Sequence, residues 1–196
     1  MLAECITNPG TFAARIATST DADYASSVVA ALAVFSGSKH GGATDDVMAM
    51  ISDIGDPSYS ADWVKTAQHE KRPVPGFGHR VFQVPDPRAA LIANWIKALI
   101  KDGVDATPMK ILTKVKKAMV PMRRHVTYVN VDAYTGVLLT IFGVPLGYGT
   151  LVFTLARMAG WSAHVQEQKL NNIMINPMIS YRPRRPQNNS NRKYVE

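Results

Sequence analysis

Cysteine is nearly missing from this sequence: Cys5 stands alone among 196 residues. A single thiol forms no intrachain disulfide, which sets aside the disulfide-stapled secreted folds and suits a reducing compartment. No uninterrupted apolar run approaches the roughly 18 residues that a membrane span needs. The opening "MLAECITNPG" has no basic region leading into a long apolar segment, so no signal peptide and a cytoplasmic location are expected. Alternating apolar and polar runs, the mark of half-buried strands, are lacking too, and there is no internal repeat.

Acidic residues are scarce in one half of the chain. Residues 1–105 hold 9 basic and 12 acidic side chains, whereas residues 106–196 hold 13 and 3, within a net charge of +7. Such asymmetry points to an anionic partner: nucleic acid, acidic lipid or a polyanionic small molecule. Lys110, Lys114 and Lys117 fit equally well as the solvated face of one helix.

What is present is helical. A hydrophobic fraction of 46% and a charged fraction of 19% fit a globular protein with a sizeable core. "DADYASSVVAALAVFSG" (21–37) opens on aspartate and closes on glycine, as a capped helix does. "TDDVMAMISDIG" (44–55) sets Val47, Met50, Ile51 and Ile54 on one side. "DPRAALIANWIKALIKDG" (86–103) offers Asp86 as N-cap and Pro87 at the first helical position. Its Leu91, Ile92, Trp95, Ile96, Leu99 and Ile100 recur at helical spacing. "TPMKILTKVKKAMV" (107–120) begins another helix, and two more are expected at about 131–142 and 148–168, parted by "GVPLGYG". The polar, proline-punctuated end reads as a loose arm.

Four features could carry chemistry. His40 precedes Gly41 and Gly42 in "SKHGGA", and His79 follows Gly76 and Gly78 in "VPGFGHRVF". Glycines let a backbone approach a ligand closely, but each turn could also simply end a helix. Asp132 sits among Val131, Ala133 and Val137 in "YVNVDAYTG". It could be an ordinary N-cap, or a desolvated general base. Arg157 interrupts the apolar "LVFTLARMAGW", where it either snorkels to solvent or meets a buried anion. Arg88 and Arg182 lie beside prolines. Guanidinium forks grip carboxylates in pairs, so three arginines suit a substrate with more than one carboxylate. Together the set suggests proton abstraction beside a carbonyl, with an anionic acceptor held by arginines.

The ordered motifs "TFAAR…KHGGA…PGFGHRVF…DPRA…YVNVDAYTG…FTLARMAGWSAH…RPR" closely resemble the C-terminal half of the citrate synthase family, 2-methylcitrate synthases included. The resemblance runs over nearly the whole chain and implies an N-terminally truncated member. It implies an all-α fold: residues 42–145 as a small domain, with 1–41 and 146–196 as parts of the large one. It implies His40, His79 and Asp132 as catalytic residues, and Arg88, Arg157 and Arg182 as ligands of carboxylates. Arg182 would reach the other subunit of a homodimer. The loop of Gly76, Phe77 and Gly78, with that of His40, would meet coenzyme A largely through backbone groups. Acetyl-CoA (or propionyl-CoA) and oxaloacetate would be the substrates, with no separate cofactor, no metal, no nucleic acid and no membrane. The other expectation is a non-catalytic homologue that binds coenzyme A weakly or pairs with a full-length subunit.

The sequence departs from the family pattern locally. Cys5 stands where a substrate-binding histidine is expected, and Leu2 replaces another. Gly10 replaces a serine that helps position His40, and Thr44 replaces an asparagine. A long helical N-terminal region of the family has no counterpart, so helices 21–36 and 148–168 are expected to show unpartnered apolar surface.

Overall fold

A computed structural model describes residues 2–3, 7–37, 40–78, 84–120 and 128–177. It is all-α, as the sequence predicts. Among the described residues eight helices follow one another: α1 (Pro9–Ser19), α2 (Tyr24–Phe35), α3 (Ala43–Ile54), α4 (Ser60–His69), α5 (Pro87–Lys101), α6 (Thr107–Met119), α7 (Val131–Ile141) and α8 (Gly149–Leu170). A 3-10 turn at Pro57–Tyr59 leads into α4. The one extended pairing among these residues is an isolated antiparallel bridge between Phe77 and Val129.

Local chemistry sets most of the boundaries. The Asp23 carboxylate accepts from the Ser26 amide at the start of α2, and Asp86 accepts from the Arg88 amide at the start of α5. Asn8 and Asn130 do the same for α1 and α7. Each such cap stabilises its helix by about 1 kcal/mol. The expected opening aspartate, Asp21, instead sits at φ 63 before the helix, and Asp23 takes its place.

The buried side chains form two clusters. One gathers Val47, Met50, Ile51 and Ile54 of α3 with residues of α4, α5, α6 and α7. The other joins Ala14 of α1, Val28, Ala31 and Phe35 of α2, and Phe153, Trp161 and Val165 of α8. Leu2 packs against both. In α5 only part of the apolar row turns inward: Ile92 and Ile96 are buried, whereas Leu91 and Trp95 are 51% and 54% exposed. Ala89 and Ala93, one turn apart, complete the buried stripe instead. In α6, Ile111, Leu112 and Val115 face the core while Lys110, Lys114 and Lys117 are exposed, so these lysines form a solvated helix face. No helix among the described residues is long and apolar enough to cross a membrane.

Two helices, α1 and α4, are not among the segments that the sequence reading marks as helical. Their buried positions are mostly small or polar: Gly10, Thr11, Ala14 and Thr18 in one, Ser60 and Ala67 beside Val64 in the other. Apolar side chains on α2 and α8 face outward: Val29 is 61% and Leu155 is 66% exposed.

Candidate active site

The turn after α2 delivers His40. Its amide donates to the Gly37 carbonyl at 2.8 Å, and the Gly41 amide donates to that of Phe35 at 2.9 Å. The imidazole stands edge-on to the Phe35 ring, with centroids 4.9 Å apart. Its Nε2 accepts a hydrogen bond from the Gly10 amide at 3.3 Å. Gly10 lies in the first turn of α1, where amides have no partner within the helix. The expected loss of a positioning serine at Gly10 is therefore answered by the backbone of Gly10 itself.

That contact decides the state of the ring. An imidazole accepting at Nε2 is neutral and carries its proton on Nδ1. Burial first, and then the positive charge of Arg157, hold the His40 pKa below its ordinary 6.5. The positive end of the α1 dipole works in the same direction. With the folded pKa depressed, the stability this ring contributes is present above pH 6.5 and falls away as pH drops below it. An NMR titration is expected to place the His40 midpoint below 6.5. Arg157→Gln is expected to raise it only part of the way back, because burial is the larger cause.

Arg157 does not snorkel. It is 3% exposed, its Nε donates to the Leu2 carbonyl at 2.7 Å, and its guanidinium carbon lies 5.2 Å from the Phe153 ring centroid. Aromatic faces stabilise such a cation by about 1–2 kcal/mol when it is desolvated.

Asp132 lies in the first turn of α7, whose N-cap is Asn130. It is thus no cap. The Thr44 hydroxyl donates to its Oδ1 at 3.1 Å. Thr44 belongs to the first turn of α3, just past the turn that carries His40. The next residue, Asp45, reaches the other way: its carboxylate accepts from the amides of Gly149 and Thr150 at 2.7 and 2.9 Å. Thr150 also reaches the Gly41 carbonyl at 3.0 Å. The start of α3 thereby ties the His40 turn, the Asp132 carboxylate and the head of α8 into one unit.

The glycine loop is strapped to the same place. Asn130 donates from its amide to the Gly76 carbonyl and from its side chain to the Gly78 carbonyl, both at 3.0 Å. The Gly78 amide donates to Tyr128 at 2.8 Å. Phe77 is half-buried and packs on the larger cluster. Several backbone groups of this loop are therefore occupied in fixing it beside Asp132. Arg88 forks onto Asp86, with Nε–Oδ1 3.0 Å and Nη2–Oδ2 2.7 Å. Asp86 is only 2% exposed.

The structure thus brings His40 and Arg157 together, places Asp132 with the Gly76–Gly78 loop, and joins the two groups through α3. His79, Arg182 and Cys5 lie outside the described residues. Thr44, Asp45, Asp86 and Asn130 were not singled out as partners by sequence, although Asn130 and Asp86 carry N-cap signals. Among the described residues no group of three or more His, Cys, Asp or Glu is placed to hold a metal ion.

Fold and site together define an all-α protein with a neutral imidazole and a carboxylate set on either side of one helix start. It belongs to the citrate synthase family: the profile of the citrate synthase C-terminal domain matches residues 2–184. The chain is 33% identical to 2-methylcitrate synthase 1 of Corynebacterium glutamicum, over 92% of its own length and 47% of that protein's. It is 35% identical to citrate synthase of Haloferax volcanii, over 89% and 46% respectively. The solved ternary complex of carboxymethyl coenzyme A and oxaloacetate with citrate synthase from Thermoplasma acidophilum superimposes with a TM-score of 0.77. That match has 29% identity and covers 100% of this chain and 51% of the other. The chain spans about half the length of the curated relatives it matches.

Proposed function

We propose that this chain takes part in a citrate-synthase-type acyl transfer, condensing acetyl-CoA, or propionyl-CoA, with oxaloacetate. The observation that carries this reading is His40: half-buried, neutral, accepting at Nε2, with its remaining Nδ1–H a donor for an oxyanion. An acetyl methyl is a very weak carbon acid, so its enolate must be stabilised electrostatically at the moment it forms. Asp132 takes the methyl proton while His40 Nδ1–H holds the thioester oxygen. The resulting carbon nucleophile adds to the oxaloacetate carbonyl, whose oxygen receives a proton from His79. Water then cleaves the thioester, releasing the free carboxylate product and coenzyme A. Arg88, Arg157 and Arg182 are assigned to the substrate carboxylates, and Arg157 also supplies positive charge beside His40. Because Arg88 is already forked onto Asp86, it serves a substrate only by sharing or exchanging that partner. The Gly76–Phe77–Gly78 loop is assigned to coenzyme A, whose phosphates match the basic second half of the chain.

The same reading divides the chain into parts of a large domain (1–41 and 146–196) and a small domain (42–145), which the two buried clusters support. The exposed apolar faces of α2 and α8 favour a second subunit, in a homodimer of a cytoplasmic enzyme. They equally favour a second reading, in which the chain is a non-catalytic partner of a full-length subunit. Product analysis separates the readings. Citrate from acetyl-CoA, or 2-methylcitrate from propionyl-CoA, identified by mass spectrometry, establishes the reaction and its acyl preference. Absence of both products from folded protein supports the silent partner.

A further inference from the structure

The departure at Thr44 has a defined partner, and the geometry around it is built rather than incidental. Thr44 is fully buried. A buried hydroxyl needs an acceptor, and this one donates to Asp132 Oδ1 at 3.1 Å across 88 residues of sequence. Its β-branched side chain has few χ1 choices in a helix, so the direction of the hydroxyl is set by where the α3 backbone lies. That backbone is fixed on two sides. Toward α8, Asp45 grips the Gly149 and Thr150 amides. Toward α7, the helices approach so closely that a Cβ on Gly136 would lie 2.6 Å from Val47 Cγ1 and 3.2 Å from the Thr44 carbonyl. Gly136 is one turn beyond Asp132 on α7, so the close approach and the hydrogen bond belong to the same contact.

We propose that Thr44 is a positioning residue for Asp132, fixing the plane of its carboxylate without touching the thioester. A carboxylate rotates about a broad, nearly two-fold torsion, so a fixed donor on one oxygen decides where the other points. The bond is charge-assisted, because the acceptor is a carboxylate at a helix N-terminus. The catalytic consequence rests on the reading of Asp132 as the base; the structural one does not.

The test compares Thr44→Val, which keeps the shape and removes the hydroxyl, with Thr44→Ser, which restores it. Two quantities are read at fixed pH: the Asp132 carboxyl 13C signal of labelled protein, and steady-state turnover with acetyl-CoA and oxaloacetate. The expected result is a displaced Asp132 signal in Thr44→Val. With it, kcat falls about tenfold at an oxaloacetate KM within about twofold of wild type, and Thr44→Ser recovers both. An Asp132 signal unmoved in folded Thr44→Val overturns the proposal. If wild type shows no turnover, the base reading of Asp132 fails by itself, and the carboxyl signal alone decides whether Thr44 positions it. Thermal melts of both variants confirm that each is folded when read.

Discussion

Gly76→Ala is expected to lower the melting temperature by roughly 10 °C. Two costs fall on the same atom. Gly76 sits at φ +84, where a side chain costs about 1–2 kcal/mol. The added Cβ would also lie 2.7 Å from Ala133 Cβ and 3.1 Å from Val47 Cγ2, and overpacking of that kind costs about 1–3 kcal/mol. Ala133 cannot retreat without moving the first turn of α7, which carries Asp132. The proper control is Gly103→Ala. Gly103 has a similar φ of +96 but nothing within 4 Å of the added carbon, so only the conformational cost of about 1–2 kcal/mol remains. Melting curves of the two variants therefore separate strain from crowding. Equal losses would show that Ala133 yields freely and that the loop does not depend on close contact with α7.

His40→Ala is expected to reduce turnover by about a hundred- to a thousandfold, the usual cost of removing one preorganised oxyanion donor. The fold should lose far less. The Gly10 amide loses its acceptor, at a cost of about 1 kcal/mol, while the Phe35 ring keeps its packing on Phe153 and Trp161. Kinetics beside a thermal melt test this directly. A variant that melts as Gly76→Ala does would make His40 a structural residue. One that turns over normally would remove it from the chemistry.

Much of the helical layout was legible in the sequence. The α3 face of Val47, Met50, Ile51 and Ile54 is buried as its spacing predicts, and the Asp86–Pro87 start of α5 is where the capping signals put it. What escaped was of two kinds. The first was α1 and α4, two helices that went unread although their apolar and polar residues do segregate; their buried positions are mostly small or polar ones such as Gly10, Ala14, Ser60 and Ala67. The second kind was contact through backbone or across distance. Gly10 replaces a side chain with its own amide, which no reading of side chains can foresee. Of the two expectations for Arg157, solvent is excluded by its burial, and the aromatic rings and main-chain carbonyl that hold it were not foreseen. The pairs Thr44–Asp132 and Asp45–Gly149 join residues 88 and 104 positions apart, and nothing local in the sequence marks them.

The most direct measurement is thiol release from acetyl-CoA by purified protein, with and without oxaloacetate, in wild type and in Asp132→Ala. The expected result is release that requires oxaloacetate and falls about a hundredfold or more in the variant, the scale of a lost general base. Release that ignores oxaloacetate, or that is no greater in folded wild type than in Asp132→Ala, would contradict catalysis by this chain and leave it a silent member of the family.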